Sequence, residues 1–235
     1  MNSSNDPSYR YEKKYMLQGV SYEAVSSIIT SHPAFFKKQH NSRNINNIYF
    51  DTFNRQFVNE NLDGLSVRTK PSMRWYGPKF GKVVSPKLEL KHKKNTLGTK
   101  SIYPLEKGCF KLERNFNPND LAQFILLQDI PNTVQYFLKM LTPVLLNNYS
   151  RDYYVSNDNK FRITVDYAIN YNSLEVLQSD LLSSSVTPLN YIVIEVKYDE
   201  INCDIADNIT SFIPFTITKS SKYVTGSFLT NYWGY

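Results

Sequence analysis

The chain has 235 residues, 41% of them hydrophobic and 14% aromatic, which supports a sizeable core and excludes a disordered protein. Its 27 basic and 21 acidic side chains leave a net charge of +6, with no block of like charge that reads as a nucleic-acid tail. Cys109 and Cys203 stand far apart and outside any metal spacing, which fits reduced thiols in a cytoplasmic protein, and no run approaches the roughly 18 apolar residues of a membrane span.

Residues 1–8 read as a disordered polar leader without a signal peptide, and residues 9–235 as a single domain. Arg10 to Leu17 alternates as a strand does, and Ser21 caps a helix running to Ser31 on a stripe of Tyr22, Val25, Ile28 and Ile29. Asn47 to Thr52 is a strand, and Asn54 to Leu62 a short helix that Gly64 stops. Leu65 to Tyr76 is extended, with Pro71 pointing to a bulge or an edge. Lys87 to Lys93 is a further strand, followed by helices over Asp120 to Leu127 and Asn132 to Leu141. Val144 to Val155 and Phe161 to Tyr171 pair as a hairpin. Tyr191 to Tyr198 is a strand, and Ser221 to Tyr232 closes the chain as a helix.

Side chains of a strand alternate between its faces, so these segments sort their charges. Arg10, Glu12 and Lys14 share one face, as do Lys87, Glu89, Lys91 and Lys93. Lys160, Arg162, Thr164 and Asp166 oppose Phe161, Ile163, Val165 and Tyr167, while Glu195 and Lys197 oppose Ile192, Ile194 and Val196. For one strand, the simpler reading is a sheet with a wet face and a packed face. Taken together, the segments admit a closed antiparallel barrel of the α+β class, helices outside and charges inside, and such an interior needs water, ions and an anionic ligand.

Seven segments, taken in order, resemble the catalytic domain of the vacuolar transporter chaperone (VTC) complex, a polyphosphate polymerase of the triphosphate tunnel metalloenzyme superfamily. They are Arg10 to Tyr15, Asn47 to Thr52, Arg74 to Gly77, Glu89 to Lys91 with Gly98 to Ser101, Tyr149 to Arg151 with Phe161 to Asp166, Ile194 to Lys197, and Lys219 to Tyr223. The resemblance implies an eight-stranded tunnel. It also implies that Arg10, Lys14, Lys70, Arg74, Lys91, Lys100, Arg151, Arg162, Lys219, Ser221 and Lys222 hold a nucleoside triphosphate such as ATP and the growing polyphosphate. Of these, Lys14, Arg74, Lys91, Arg162 and Lys222 are the expected catalytic group, and Glu195 the ligand of Mn²⁺ or Mg²⁺. One position departs from the family pattern: Ser72 stands where the first Arg of R-x-R is usual, with Arg68 and Lys70 on the same face as possible substitutes. The yeast members also carry a phosphate-sensing domain and membrane helices; neither is seen in this sequence, so a membrane partner would be a separate protein.

These residue types suit phosphoryl transfer between two anions. A terminal phosphate is ionised near neutral pH, its second pKa lying at about 6, so the reaction needs positioning and charge neutralisation more than a strong base. Glu12 and Glu89 read as additional metal ligands or, the favoured reading, as ion-pair partners of neighbouring lysines; Asp51 and Asp166 read either as acids supporting the ligands from behind or as a strand-end turn or an arginine partner. The alternatives are a triphosphate or tripolyphosphate hydrolase and a non-catalytic polyphosphate-binding module. The hydrolases usually begin E-x-E-x-K, where this chain has Arg10 in place of the first acid. Nucleic acid is not expected, because the bases alternate along strands rather than lining a surface.

Overall fold

The computed structural model describes residues 10–94, 97–174, 181, 185–188 and 191–231. In chain order they form β1 (Arg10–Leu17), α1 (Tyr22–Thr30), β2 (Lys37–Asp51), α2 (Gln56–Leu62), β3 (Val67–Tyr76), β4 (Gly81–Lys82), β5 (Lys87–Lys94), β6 (Leu97–Pro104) and β7 (Lys111–Leu112). Then come α3 (Pro118–Leu126), α4 (Asn132–Lys139), β8 (Thr142–Val155), β9 (Phe161–Ser173), β10 (Ser185–Val186) and β11 (Ile192–Asp199). A 3-10 turn leads into α5 (Cys203–Ser211), and α6 (Lys222–Asn231) ends the described chain. The expected leader, residues 1–8, lies outside the described residues.

Nine strands make one antiparallel sheet in the order β1-β11-β9-β8-β2-β3-β5-β6, with β10 on β9; β4 and β7 form a separate ribbon. Among the described residues the order runs from β1 to β6 without closing. The mixed α+β class is therefore correct, and closure of the expected eight-stranded barrel is not seen among them. Charged and apolar faces alternate identically in a barrel and in an open sheet covered on one side, so the pattern could not separate them.

The chain divides into two compact units. The first holds residues 1–42, 150–168 and 189–220. In it Tyr15, Leu17, Phe161, Ile163, Val165, Ile192, Ile194 and Val196 form one apolar cluster with Val25 and Ile29 of α1 and Ala206 of α5. Ser21 caps α1 as expected, its side chain accepting from the Ala24 N–H. Lys13, between two charged-face neighbours, turns to the helix side and donates to Asp207 at 2.6 Å and Thr210 at 3.0 Å on α5.

The second unit holds residues 43–149, 169–188 and 221–235. Ile48, Phe50, Met73, Trp75, Leu88 and Leu90 of its strands pack with Leu121, Phe124 and Ile125 of α3 and Val134 and Leu138 of α4. Helix α2 has no cap from Arg55, the residue before it; Asp51 at the end of β2 does that work, accepting from Phe57 N at 2.9 Å and Val58 N at 3.1 Å. Such a cap is worth about 1 kcal/mol. Pro71 makes no bulge, since β3 pairs with β5 in unbroken register from Val67↔Lys94 to Arg74↔Lys87, but it does sit at a local edge on the other side of the strand. Pairing with β2 stops at Tyr49↔Ser72, so the residue without an N–H sits just beyond it. Gly226 lets α6 lie directly on the strands, since a Cβ there would run into the Tyr171 ring and come within 2.6 Å of Leu145 Cδ2.

Candidate functional site

In the first unit, strand register assembles the charged face. Lys14 stands opposite Glu195, Glu12 opposite Lys197, Glu195 opposite Thr164 and Lys197 opposite Arg162. Glu195, its side chain 9% exposed, lies 3.2 Å from Lys14 Nζ, 3.1 Å from Lys197 Nζ and 3.8 Å from Arg151 Nη2. Glu12 lies 3.5 Å from Lys14 and 3.4 Å from Lys197. Arg151 donates through Nη2 to buried Asp166 at 2.7 Å, with its Nε on the other carboxylate oxygen, a planar fork on a planar acceptor. Burial disfavours the charge of Lys14, but Glu195 and then Glu12 outweigh it and raise its pKa. Thr164 adds a buried hydroxyl on the same face that has no hydrogen-bond partner among the described residues.

In the second unit the corresponding face centres on Glu89, 4% exposed at its side chain. Lys100 Nζ lies 2.8 Å from it, Lys91 Nζ 3.4 Å and Arg74 Nη1 3.5 Å. The register Lys70↔Lys91↔Lys100 stacks three lysines across adjacent strands. Burial opposes the charge of Glu89, yet Arg74, Lys91 and Lys100 together pull its carboxyl down to about 2. Burial, then the charges of Arg74 and Lys70, push Lys91 well below the ordinary lysine range, against the pull of Glu89. Asn47 accepts from Arg74 Nε at 2.8 Å and fixes the root of that guanidinium.

At the start of α6, Lys222 is buried with its Nζ 4.8 Å from the Tyr149 ring centroid, a cation over an aromatic face. Tyr223 stacks on Tyr49 and donates to Asp51, and burial followed by that carboxylate raises its pKa. The Ser221 hydroxyl is buried with no hydrogen-bond partner among the described residues.

The structure thus brings Lys14, Arg151 and Glu195 together in one cluster, and Lys70, Arg74, Lys91 and Lys100 in another. It leaves Arg162 and Lys219 exposed, and the side chain of Arg10 lies outside the described residues. Between the two substitutes for the missing arginine, Lys70 faces the Glu89 cluster, while Arg68 turns back to the Leu65 carbonyl at 2.9 Å. Ser72 is buried opposite Glu89. Glu12, Glu89 and Asp166 are the ion-pair partners that the charge alternation suggests, and Asp51 is the strand-end cap. Lys197, which strand alternation places on the Glu195 face, is the ion-pair partner of that carboxylate. Asn47 is a site neighbour that the sequence reading did not single out, since only the alignment of β2 with β3 sets it beside Arg74. Among the described residues no three of His, Cys, Asp and Glu converge on one point, so a metal would rest on few protein ligands. Trp75, one of the aromatics that a nucleic-acid reading would stack on bases along with the tyrosines, is 1% exposed.

Residues 9–231 match the family model of the VTC domain. Among solved structures, the chain is similar to a candidate adenylate cyclase from Vibrio parahaemolyticus, at 12% identity over 94% of this chain and 99% of that one, with a TM-score of 0.50. A candidate adenylate cyclase from Bacillus halodurans matches at 12% identity over 89% and 92%, with a TM-score of 0.51. Identities this low show a shared fold and nothing more. No curated relative matches the chain. No helix among the described residues is long and apolar enough to cross a membrane.

Proposed function

This chain belongs to the VTC domain family, and we propose on that premise that it transfers the γ-phosphate of ATP to the end of a linear polyphosphate. The observation that supports transfer over hydrolysis is the state of the acids. Glu195 meets Lys14, Lys197 and Arg151; Glu89 meets Arg74, Lys91 and Lys100; Asp166 is clasped by Arg151; Glu12 meets Lys14 and Lys197. Each of these carboxylates is already neutralised by bases, a poor arrangement for a general base acting on water. A phosphate acceptor needs no such base and is held in place by the same cations.

Arg74, Lys91 and Lys100, with Lys70 beside them, carry the excess positive charge that phosphates neutralise. At an effective dielectric of about 20, each cation about 4 Å from a phosphate oxygen gains on the order of 4 kcal/mol before desolvation. Arg74 can grip two oxygens with its fork, and the lysines act as point charges. Lys14, Arg151 and Arg162 take the same role on the other charged face, with Lys219, Ser221 and Lys222 as further phosphate contacts. Glu195 fits a divalent ion, Mn²⁺ or Mg²⁺: it is nearly buried and sits across from the unpartnered Thr164 hydroxyl, a small oxygen donor of the kind such ions accept. A bound ion would supply charge neutralisation at the transferred phosphoryl group.

The test is a product gel with phosphate and ADP assays after incubation of the pure protein with ATP and Mn²⁺ or Mg²⁺. Linear polymer with matching ADP and little free phosphate is the expected result. Stoichiometric free phosphate without polymer would instead assign a hydrolase, and polyphosphate binding with no turnover a binding module. Replacing Arg74 or Lys222 with Ala should slow transfer by about a hundredfold, the scale of losing one preorganised stabilising group.

A further inference from the structure

In the first unit Glu12, Lys14, Glu195 and Lys197 close into a ring of alternating charge. Lys14 Nζ lies 3.2 Å from Glu195 Oε1 and 3.5 Å from Glu12 Oε2. Lys197 Nζ lies 3.1 Å from Glu195 Oε2 and 3.4 Å from Glu12 Oε1. Each ammonium therefore meets both acids, and each carboxylate divides its two oxygens between the two lysines. Strand register builds the ring, since Lys14 stands opposite Glu195 and Glu12 opposite Lys197 across β1 and β11.

Both oxygens of Glu195 thus already face a cation. Mg²⁺ bonds a carboxylate oxygen at about 2.1 Å, and an ammonium on the same oxygen repels it across a short gap. For an ion to settle on Glu195, a base has to move. Arg151, the other base on Oε2, is held by its fork to Asp166 and is only 11% exposed. Lys14 is 28% exposed, and Lys197 is the freest at 38%. The exposed Arg162 stands opposite Lys197 on β9, so phosphate oxygens beside that arginine can receive the displaced ammonium.

We infer that Lys197 is a built-in competitor of the divalent ion at Glu195. It is a positioning residue that holds the carboxylate while the ion is absent and keeps affinity for the bare ion low. The site then fills readily only when a polyanion draws Lys197 away, which ties metal loading to the presence of phosphate. This inference rests on the metal role proposed for Glu195.

Titration of the full-length protein with MnCl2 alone, followed by the electron paramagnetic resonance signal of free Mn²⁺, tests it without turnover. Lys197→Met and Lys197→Gln should both tighten Mn²⁺ binding about tenfold by removing the competing charge. Lys197→Arg, which keeps that charge, should bind as the unaltered protein does. Damage to the fold would weaken binding, so a gain of affinity separates competition from a structural role. Adding Glu195→Gln to Lys197→Met should abolish the gain. If E195Q weakens Mn²⁺ binding but K197M and K197Q leave it unchanged, the role of Lys197 is overturned and the metal role of Glu195 stands. If E195Q changes nothing in either background, both are overturned.

Discussion

The Glu195 face and the Glu89 face begin alike and end differently. Each sets one nearly buried carboxylate on a strand and surrounds it with three bases. Around Glu195, however, the acids Glu12 and Asp166 balance Lys14, Lys197 and Arg151, and Lys14 is driven up in pKa. Around Glu89 a single acid faces Arg74, Lys91 and Lys100, with Lys70 adding its charge, and Lys91 is driven down. The opposite shifts of two lysines in similar positions follow from the charge around them. Under the proposed function, the first face, nearer neutrality, would take a cation together with its anion, and the second, short of negative charge, the anion alone.

The comparison breaks most visibly at its two carboxylates. Glu195→Gln should remove metal-dependent turnover, by about a hundredfold or more, and leave the melting temperature and most tripolyphosphate binding in place. If turnover survives, Glu195 is only the ion-pair partner of Lys14 and Lys197. Glu89→Gln should do the reverse and cost stability, about 2 kcal/mol, because it removes the nearly buried carboxylate that Arg74, Lys91 and Lys100 surround, while the partly exposed lysines keep some water. Chemical denaturation of the two variants separates these outcomes, and equal losses in both would erase the distinction.

Acid titration sharpens the same contrast. Glu89 has a folded-state pKa of about 2, below its ordinary value of 4.5. Its stabilisation is therefore complete above pH 4.5 and is lost as pH falls towards 2. The slope of stability against pH in that window should flatten in E89Q; an unaltered slope would show that Glu89 is not depressed.

A smaller effect follows from Lys91. An anion bound beside it offsets the repulsion of Arg74 and Lys70 and raises its pKa, so binding should be linked to proton uptake. Calorimetry of tripolyphosphate binding in buffers of different ionisation enthalpy should show uptake of up to about one proton, absent in Lys91→Met. Identical apparent enthalpies in all buffers would refute the coupling. Smallest is the choice between the two stand-ins for the arginine missing at Ser72. Lys70→Ala should weaken tripolyphosphate binding about threefold, the size of losing one partly solvated charge, and Arg68→Ala should not. The reverse order would place Arg68 in the cluster.

The sequence made the charged faces legible because strand alternation is a short-range property. Lys14, Glu195, Glu89 and Lys91 each follow from counting by twos between apolar neighbours. Closure of the sheet was not legible, since it depends on which edges meet and leaves no mark on alternation. The first two thirds of β2, Lys37 to Asn46, escaped because its residues, Ile45 apart, are polar on both faces, and most of them are exposed. Helix α5 escaped because its apolar stripe is thin: Ile205 is partly exposed, and Ala206 supplies the buried contact. The division of bases between two clusters was also hidden, because register between distant strands decides it. Asn47 shows the same limit, being tied to Arg74 only once β2 and β3 are aligned.

Gly226 carries a different kind of consequence. The position is four residues beyond Lys222 and touches no phosphate-facing group, yet any side chain there collides with Tyr171 and Leu145. A lineage that lost this glycine would have to lift α6, and Lys222 and Tyr223 would leave their stations on Tyr149 and Tyr49 without having been mutated. Position 226 is in that sense a remote lever on the helix. Gly226→Val offers the experimenter a protein whose charged side chains are all intact in sequence, two landmarks of the site having been moved through the backbone alone.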